Sequence, residues 1–168
     1  MINKISTLEI EMAVARHFGW RQNIIVPNVS WGLTNMHECD MLVIRCKSHI
    51  AIEIEIKITK QDLIKDSTKN HHHYDERISE LYFAIPYYLY DSCFNLIPDY
   101  AGILVCGQPI VKGAYESDYF PVHLKRHAKV HKFIHSMTDD EVYQIARLGT
   151  MRIWNLKKTI LLFKKSKK

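Results

Sequence analysis

The chain has 168 residues, of which 47% are hydrophobic and 24% are charged, and its formal net charge is +5. This composition argues against a largely disordered chain. The four cysteines lack the paired short spacing of a zinc ribbon or a redox dithiol. No apolar run approaches the ~20 residues of a membrane helix or forms a signal peptide. We therefore expect one soluble, cytoplasmic domain over residues 1–168, large enough to bury a single core, with no membrane partner.

The first predicted helix runs from Ser6 to about Phe18. Ser6 and Glu9 have the spacing of a capping box, and Gly19 follows as a stop signal. Five apolar side chains share one arc at 100° per residue, namely Ile5, Leu8, Met12, Ala15 and Phe18. Glu11 lies inside that arc. A carboxylate there needs a cation or metal as its partner, or else it lies at the edge of the arc and reaches water.

Three strands are predicted after this helix. They are "NIIVPNVS", "CDMLVIRC" beginning at Asp40, and "HIAIEIEIKIT". The third strand alternates, so that its isoleucines share one side while Glu53, Glu55 and Lys57 share the other. The charged side faces either water, where the charges only keep the strand soluble, or a cleft, where they take part in chemistry.

The second half of the chain continues with both helices and strands. Thr59 is placed to cap a helix in "KQDLIKDSTKN", with Asp62 three residues later, and "ELYFAIP" and "AGILVCG" are predicted as buried strands. Two further helices are expected near the end. The first opens at Thr138 with Glu141 as its capping-box partner and stops near Gly149, and the second runs toward the lysine-rich end.

Asp40, Glu55 and Lys57 form the candidate catalytic cluster. Residues two apart on a strand share a face and lie ~6.6 Å apart, and Asp40 reaches the same volume if the second and third strands form an antiparallel hairpin. Mg²⁺ takes one or two carboxylates, with waters and phosphate oxygens in its other positions. A lysine beside it can orient or help to deprotonate an attacking water and offset charge on a phosphate. The part played by Glu53 stays open.

The chain resembles the PD-(D/E)xK nuclease superfamily in its motif, with Asp40 as the Asp and, after a short gap, Glu55-Ile56-Lys57 as the (D/E)xK. The predicted order of helix, three strands, helix and strand is also similar to that of the superfamily. The stretches "VPNVSWG", "HECDMLVI", "AIEIEIKITKQDL", "LYFAIP" and "AGILVC", within roughly residues 8–106, are similar to small phage and bacterial proteins akin to the MmcB-like DNA-repair family. Cys39 stands where the motif has proline, a variation that the superfamily tolerates.

This resemblance implies an α/β fold with a restriction-endonuclease-like core over residues 1–110. In that core a mixed central sheet is flanked by helices in αβββαββ order, and residues 111–168 form a basic, mostly helical extension. Its implied activity is Mg²⁺- or Mn²⁺-dependent hydrolysis of phosphodiester bonds, chiefly in DNA, in DNA repair or in phage or mobile-element DNA processing. The resemblance leaves the oligomeric state open and allows a homodimer, since many nucleases of this kind cut two strands as symmetric dimers.

The resemblance also assigns roles to residues. Asp40, Glu55 and the backbone carbonyl of Ile56 would bind the metal, Glu11 would assist, and Lys57 would position the water and offset developing charge. Two alternatives remain. One is a nucleic-acid-binding protein of the same fold without catalysis, and the other is an interaction protein whose charged strand face is solvated.

Basic charge is concentrated at the end of the chain, where residues 121–168 carry 12 Lys or Arg and 3 Asp or Glu. Such segregation favours a phosphate-bearing partner. The predicted nucleic-acid contacts are Lys60, Lys69, His71, His73, Lys125, Arg126 and Lys129, with a solvated helix end as the alternative for residues 69–73. On a helix, four histidines spaced by four would form a stripe that is better suited to phosphate than to metal, namely His123, His127, His131 and His135.

Overall fold

The computed structural model describes residues 4–30, 33, 36–66, 75–107 and 120–166. Its helices are α1 (Thr7–His17), α2 (Lys60–Asp66), α3 (Tyr90–Cys93) and α4 (Asp139–Ser166). Its strands are β1 (Asn23–Val29), β2 (Cys39–Arg45), β3 (Ala51–Ile56), β4 (Ile78–Pro86), β5 (Gly102–Cys106) and β6 (Val122–Arg126). Two 3₁₀ turns, Tyr87–Leu89 and Phe94–Leu96, flank α3.

The six strands form one mixed sheet in the order β1-β2-β3-β4-β5-β6. The pairs β1–β2, β2–β3 and β5–β6 are antiparallel, whereas β3–β4 and β4–β5 are parallel. Parallel neighbours need a crossover, and the connections that contain α2 and α3 supply the two crossovers. The predicted α/β class, the mixed sheet with flanking helices and the antiparallel pairing of β2 with β3 are confirmed.

The two faces of the sheet are covered by different helices. On one face α1 packs through Ile10 and Val14 against side chains of β2 to β5. On the other face α4 packs through Ile145 and Leu148 at the β1 end, while Leu63 of α2 and the segment around α3 cover the β4–β5 end. The charged side of β3 belongs to this second face and lies between the two apolar clusters.

Local signals fix both ends of α1 as predicted. Ser6 Oγ accepts from the Glu9 backbone N–H at 3.3 Å, and the Glu9 carboxylate accepts from the Ser6 backbone N–H at 2.7 Å. Gly19 follows the C-cap with φ of +71°, a left-handed conformation that favours glycine. The bounds predicted for the helix and its capping box are therefore confirmed.

The predicted apolar arc of α1 is wrong, because the helix turns a different side toward the sheet. Leu8 and Met12 are exposed, and the buried residues of the helix are Ile10, Ala13 and Val14. Two members of this second arc, Ala13 and Val14, are smaller than Leu8 and Met12, so packing against the sheet and not hydrophobicity alone selects the buried face. Glu11 consequently lies half-buried at the border of the packed face and not inside it.

The region after β5 departs from the predicted helical extension. Residues 122–126 form β6 at the edge of the sheet, and the described residues between β6 and α4 contain no helix. His123 lies on β6, whereas His127, His131 and His135 lie in that non-helical segment. The helical histidine stripe therefore does not form. Backbone bonds hold the segment instead, since the N–H groups of Lys129 and His131 donate to carbonyls of Tyr100 and Ser79.

The two predicted C-terminal helices are one helix, α4, which has 28 residues and passes through Gly149 without a break. A Cβ added at Gly149 would lie 3.0 Å from Val26 Cγ2, so the glycine serves close packing against β1 and does not stop the helix. The predicted start is confirmed, because Thr138 and Glu141 form the expected reciprocal hydrogen bonds. Within the described ranges, no helix is long and apolar enough to cross a membrane.

Candidate active site

The pairing of β2 with β3 brings the predicted catalytic residues together. Met41 lies opposite Ile54 and Leu42 opposite Glu53, and the same register continued by one pair puts Asp40 beside Glu55. Beyond the end of β3, the Lys57 N–H still donates to the Ala84 carbonyl of β4 at 3.1 Å. Backbone bonds on both sides therefore hold the segment that carries Glu55 and Lys57.

The charged side of β3 is buried. Glu53, Glu55 and Lys57 are 0%, 2% and 7% exposed. The alternative of a solvated strand face is therefore wrong. Because an ionised group loses its hydration on burial, each of these side chains needs a compensating partner inside the protein.

The Lys57 ammonium group is the centre of the cluster. It donates a hydrogen bond to Glu55, lies 3.1 Å from Asp66 Oδ1 and lies 3.5 Å from Asp40 Oδ2. Burial disfavours the charge on Lys57, but attraction to Glu55, Asp40 and Asp66 outweighs burial and raises its pKa. Lys57 is therefore a permanently charged group at neutral pH, surrounded by three acids.

The pKa of Glu55 is raised in this environment. Burial, followed by repulsion from Asp40 and Glu53, raises its pKa to about 7, although Lys57 acts in the opposite direction. Near neutral pH the carboxylate is therefore divided between its protonated and ionised forms. A cation near Glu55 would favour the ionised form and release the proton.

Asp40 is the part of the cluster that solvent reaches. Its Oδ2 accepts from the Ile56 N–H at 2.8 Å, which fixes the carboxylate at the end of β3, and its side chain is 40% exposed. Glu11, on α1, is close enough to Asp40 for the two charges to interact. Burial, followed by repulsion from Asp40, raises the pKa of Glu11, so the two acids interact electrostatically.

The donors of the cluster fit a hard divalent cation. Mg²⁺ binds through one or two carboxylates with water, which is the chemistry that Asp40 and Glu55 offer together with the Ile56 carbonyl. The supporting observation is geometric, because the carboxylates of Asp40 and Glu55 both lie against the Lys57 ammonium group and therefore meet in one place. Among the described residues, no group of three or more His, Cys, Asp or Glu is arranged to hold a metal ion.

Two residues near the cluster escaped sequence analysis. Asp66, the last residue of α2, is buried against Lys57. It follows the buried Leu63 by three positions, so a carboxylate on the core-facing row of α2 was the available signal. His37 Nε2 lies 2.8 Å from Glu53 Oε2, and this contact gives Glu53 a partner. His37 precedes β2 in a connection without periodicity, so no pattern pointed to it.

The predicted nucleic-acid contacts do not lie in one place. Lys60 is exposed at the start of α2, three residues after Lys57. Lys125 is exposed on β6, with its ammonium group 5.8 Å from the centre of the Tyr90 ring, and Lys129 is exposed in the following segment. Since β6 is three strand spacings from β3, the sheet separates Lys125 from the cluster by ~14 Å.

Arg126 has a different environment from the one predicted. Its guanidinium donates to the backbone carbonyls of Ala101, Ile97 and Pro98, so it ties β6 to the segment before β5. These bonds occupy its Nε and Nη2 groups. The remaining predicted contacts, Lys69, His71 and His73, lie outside the described residues.

Comparison with known proteins returned no match: no family model, no curated protein and no solved structure is significantly similar to this chain.

The site itself consists of Asp40, Glu55 and Lys57 as predicted, with Asp66 added. Glu11 interacts electrostatically with Asp40, and Lys60 is exposed three residues after Lys57.

Proposed function

We propose that this protein is a metal-dependent nuclease of the PD-(D/E)xK type, with a restriction-endonuclease-like core, that hydrolyses phosphodiester bonds in DNA. The observation that carries the proposal is the convergence of Asp40 and Glu55, from paired antiparallel strands, on the Lys57 ammonium group. The order α1-β1-β2-β3-α2-β4 agrees with the order of elements that the resemblance implies. Burial of the charged side of β3 supports a chemical role over a solvated face.

The two carboxylates have separate roles in this proposal. Asp40 is open to solvent and meets the substrate phosphate, while the Ile56 N–H holds one of its oxygens in place. Glu55 is buried and supplies the second carboxylate. Together with the Ile56 carbonyl they would hold Mg²⁺ or Mn²⁺. When bound, the ion would supply Lewis-acid polarisation of the phosphate and a more acidic attacking water.

Lys57 acts through its charge. Since its pKa is raised, the ammonium group stays protonated, donates to the attacking water and offsets negative charge that develops on the phosphate. Asp66 has a positioning role. It lies 3.1 Å from Lys57 on a different element, so it keeps the ammonium group in place when Glu55 turns toward a cation. Lys60 contacts the DNA backbone at the rim of the site, an interaction that weakens as salt rises.

The proposal is tested by cleavage of supercoiled plasmid and of labelled single-stranded and branched oligonucleotides, in Mg²⁺, Mn²⁺ or EDTA. The proteins compared are the wild type, Lys57→Ala and Lys47→Ala, a matched control in the exposed turn between β2 and β3. We expect metal-dependent cleavage that falls at least about 100-fold in Lys57→Ala and persists in Lys47→Ala.

A second variant guards against loss of fold, because Lys57→Ala leaves buried carboxylates without their cation. Asp40→Asn changes a side chain that is 40% exposed, so it should melt near the wild-type temperature and still lose cleavage. Salt-sensitive DNA binding without cleavage in any metal, unchanged by Lys57→Ala, would instead identify a binding protein of this fold. Absence of both cleavage and binding would reject the nucleic-acid function altogether.

A further inference from the structure

The second half of α4 carries large apolar side chains on the surface of the protein. The first half is packed against the sheet through Ile145 and Leu148. After Arg152, which donates to the Asn28 carbonyl near the end of β1, the exposed fractions are large. They are 55% for Ile153, 61% for Leu156, 46% for Ile160 and 60% for Phe163. Scattered apolar residues are normal on a surface, but a contiguous row marks an interaction site.

These four residues, which we call the α4 seam, have the spacing of a helix-pairing surface. The steps between them are three, four and three residues, the spacing of a and d positions in a heptad. At 100° per residue, Leu156 and Phe163 lie within about 20° of the direction of Ile145. The seam therefore continues the packed face of α4 beyond the edge of the sheet, as a stripe about as wide as one partner helix.

The charges beside the seam define the partner. Residues 142–166 contain six basic residues and no Asp or Glu, the basic ones being Arg147, Arg152, Lys157, Lys158, Lys164 and Lys165. Parallel pairing of two copies would place Arg152 beside Lys157 of the second copy, and antiparallel pairing would place Lys157 beside Lys164. Both arrangements bring like charges together, which disfavours self-association through the seam.

We propose that the α4 seam binds an amphipathic helix of another protein whose apolar stripe is flanked by Glu or Asp. Complementary charge on the flanks would select this partner and speed its association. A membrane surface fits less well, because Trp154 and Leu161 lie opposite the seam, between two rows of lysines. The lysines therefore do not form the separate polar face of an interfacial helix. This interaction does not depend on cleavage by the proposed nuclease site.

The test uses the full chain and a fluorescent helical peptide of about 21 residues, with Leu at a and d and Glu at e and g. The matched peptide has Lys at e and g. We expect the Glu peptide to bind at least about tenfold more tightly than the Lys peptide, with an affinity that falls as salt rises. Leu156→Glu should weaken binding about tenfold or more, whereas Leu161→Glu, a 54% exposed leucine on the opposite side, should change it less than about twofold.

Both substitutions are on the surface, so equal melting temperatures should show that the fold is intact. Several results would overturn the proposal: no binding of the Glu peptide, equal binding of the two peptides, or equal effects of the two substitutions. Preferential binding to phosphatidylcholine–phosphatidylserine vesicles would identify a membrane surface instead. Self-association in the ultracentrifuge that Leu156→Glu abolishes would identify a second copy as the partner.

Discussion

At the scale of single residues, the neighbours of a side chain decide its chemistry more than its type does. Glu53 and Glu55 are two positions apart on one strand, and both are buried. Glu53 contacts His37, whereas Glu55 shares Lys57 with two other acids. Burial is the main cause of the raised pKa of Glu55, repulsion from Asp40 and Glu53 adds to it, and Lys57 acts in the opposite direction.

The raised pKa of Glu55 predicts how stability depends on pH. Between its usual pKa of 4.5 and about 7, the folded protein holds the proton more tightly than the unfolded chain does. Its contribution to the free energy of unfolding therefore falls as pH rises through that window, and is constant above it. We expect the stability difference between wild type and Glu55→Gln in EDTA to shift by at most about 3 kcal/mol across the window, in favour of Glu55→Gln at high pH.

Urea unfolding at a series of pH values measures this shift. Glu38→Gln is the matched control, because Glu38 is exposed. The free energy of unfolding of this variant should depend on pH in the same way as that of the wild type. Added Mg²⁺ should stabilise the wild type more at pH 8 than at pH 6, since the cation competes with the proton on Glu55. A difference that is flat with pH, or that rises in favour of wild type, would contradict the environment described for Glu55.

At the scale of elements, short-range hydrogen bonds decide where helices begin, and α4 shows how such a start is joined to the rest of the fold. Glu141 accepts from the Thr138 N–H at 2.8 Å and also from the Arg77 guanidinium at 3.2 Å. The Arg77 guanidinium in turn donates twice to the carboxylate of Asp75, just before β4. The capping box therefore ties α4 to the segment that opens the central strand.

Removal of this cap should destabilise the protein. Thr138→Ala deletes the hydroxyl that accepts from the Glu141 N–H, and we expect a loss of about 1 kcal/mol in the free energy of unfolding. Thr150→Ala is the matched control, because Thr150 is exposed within the same helix and alanine is the better helix former. Urea denaturation would compare the two, and equal losses would show that the cap contributes nothing specific.

At the scale of the whole molecule, the described residues form three apolar clusters, one on the α1 face of the sheet and two on the other face, and each contains one buried cysteine. Cys106 lies in the cluster under α1, Cys39 in the cluster under α4 and Cys93 in the cluster under α2 and α3. Burial raises the pKa of Cys39 and, to about 12, that of Cys106. Cys46 alone is exposed. The four thiols can therefore report whether the clusters open together.

We expect one thiol per chain to react rapidly with a disulfide reagent and the other three to react slowly, at one common rate. At a reagent concentration high enough for reaction to outpace refolding, the slow rate should equal the rate of global unfolding, because a buried thiol must be exposed before it reacts. Cys46→Ser should remove only the fast phase. Three separate slow rates, assigned by mass spectrometry, would show that the clusters open independently and that the sheet does not unite them.

The sequence by itself determined features that depend on neighbours along the chain. The ends of α1, the cap of α4 and the alternation of β3 follow from hydrogen bonds and side-chain directions within a few residues. The meeting of Asp40 with Glu55 also belongs here, because a short hairpin leaves few ways to pair its strands. These features were predictable because each joins residues that are close in sequence, so little chain entropy is lost when they come together.

Only the tertiary structure decided features that depend on distant contacts. Asp66 meets Lys57 because α2 folds back over the sheet, and Gly149 continues α4 because Val26 of β1 lies against it. The rotation of α1 and the pairing of β6 likewise follow from packing against strands elsewhere in the chain. Local patterns carry no information about such contacts, since their energy arises only when elements distant in sequence bury a shared surface.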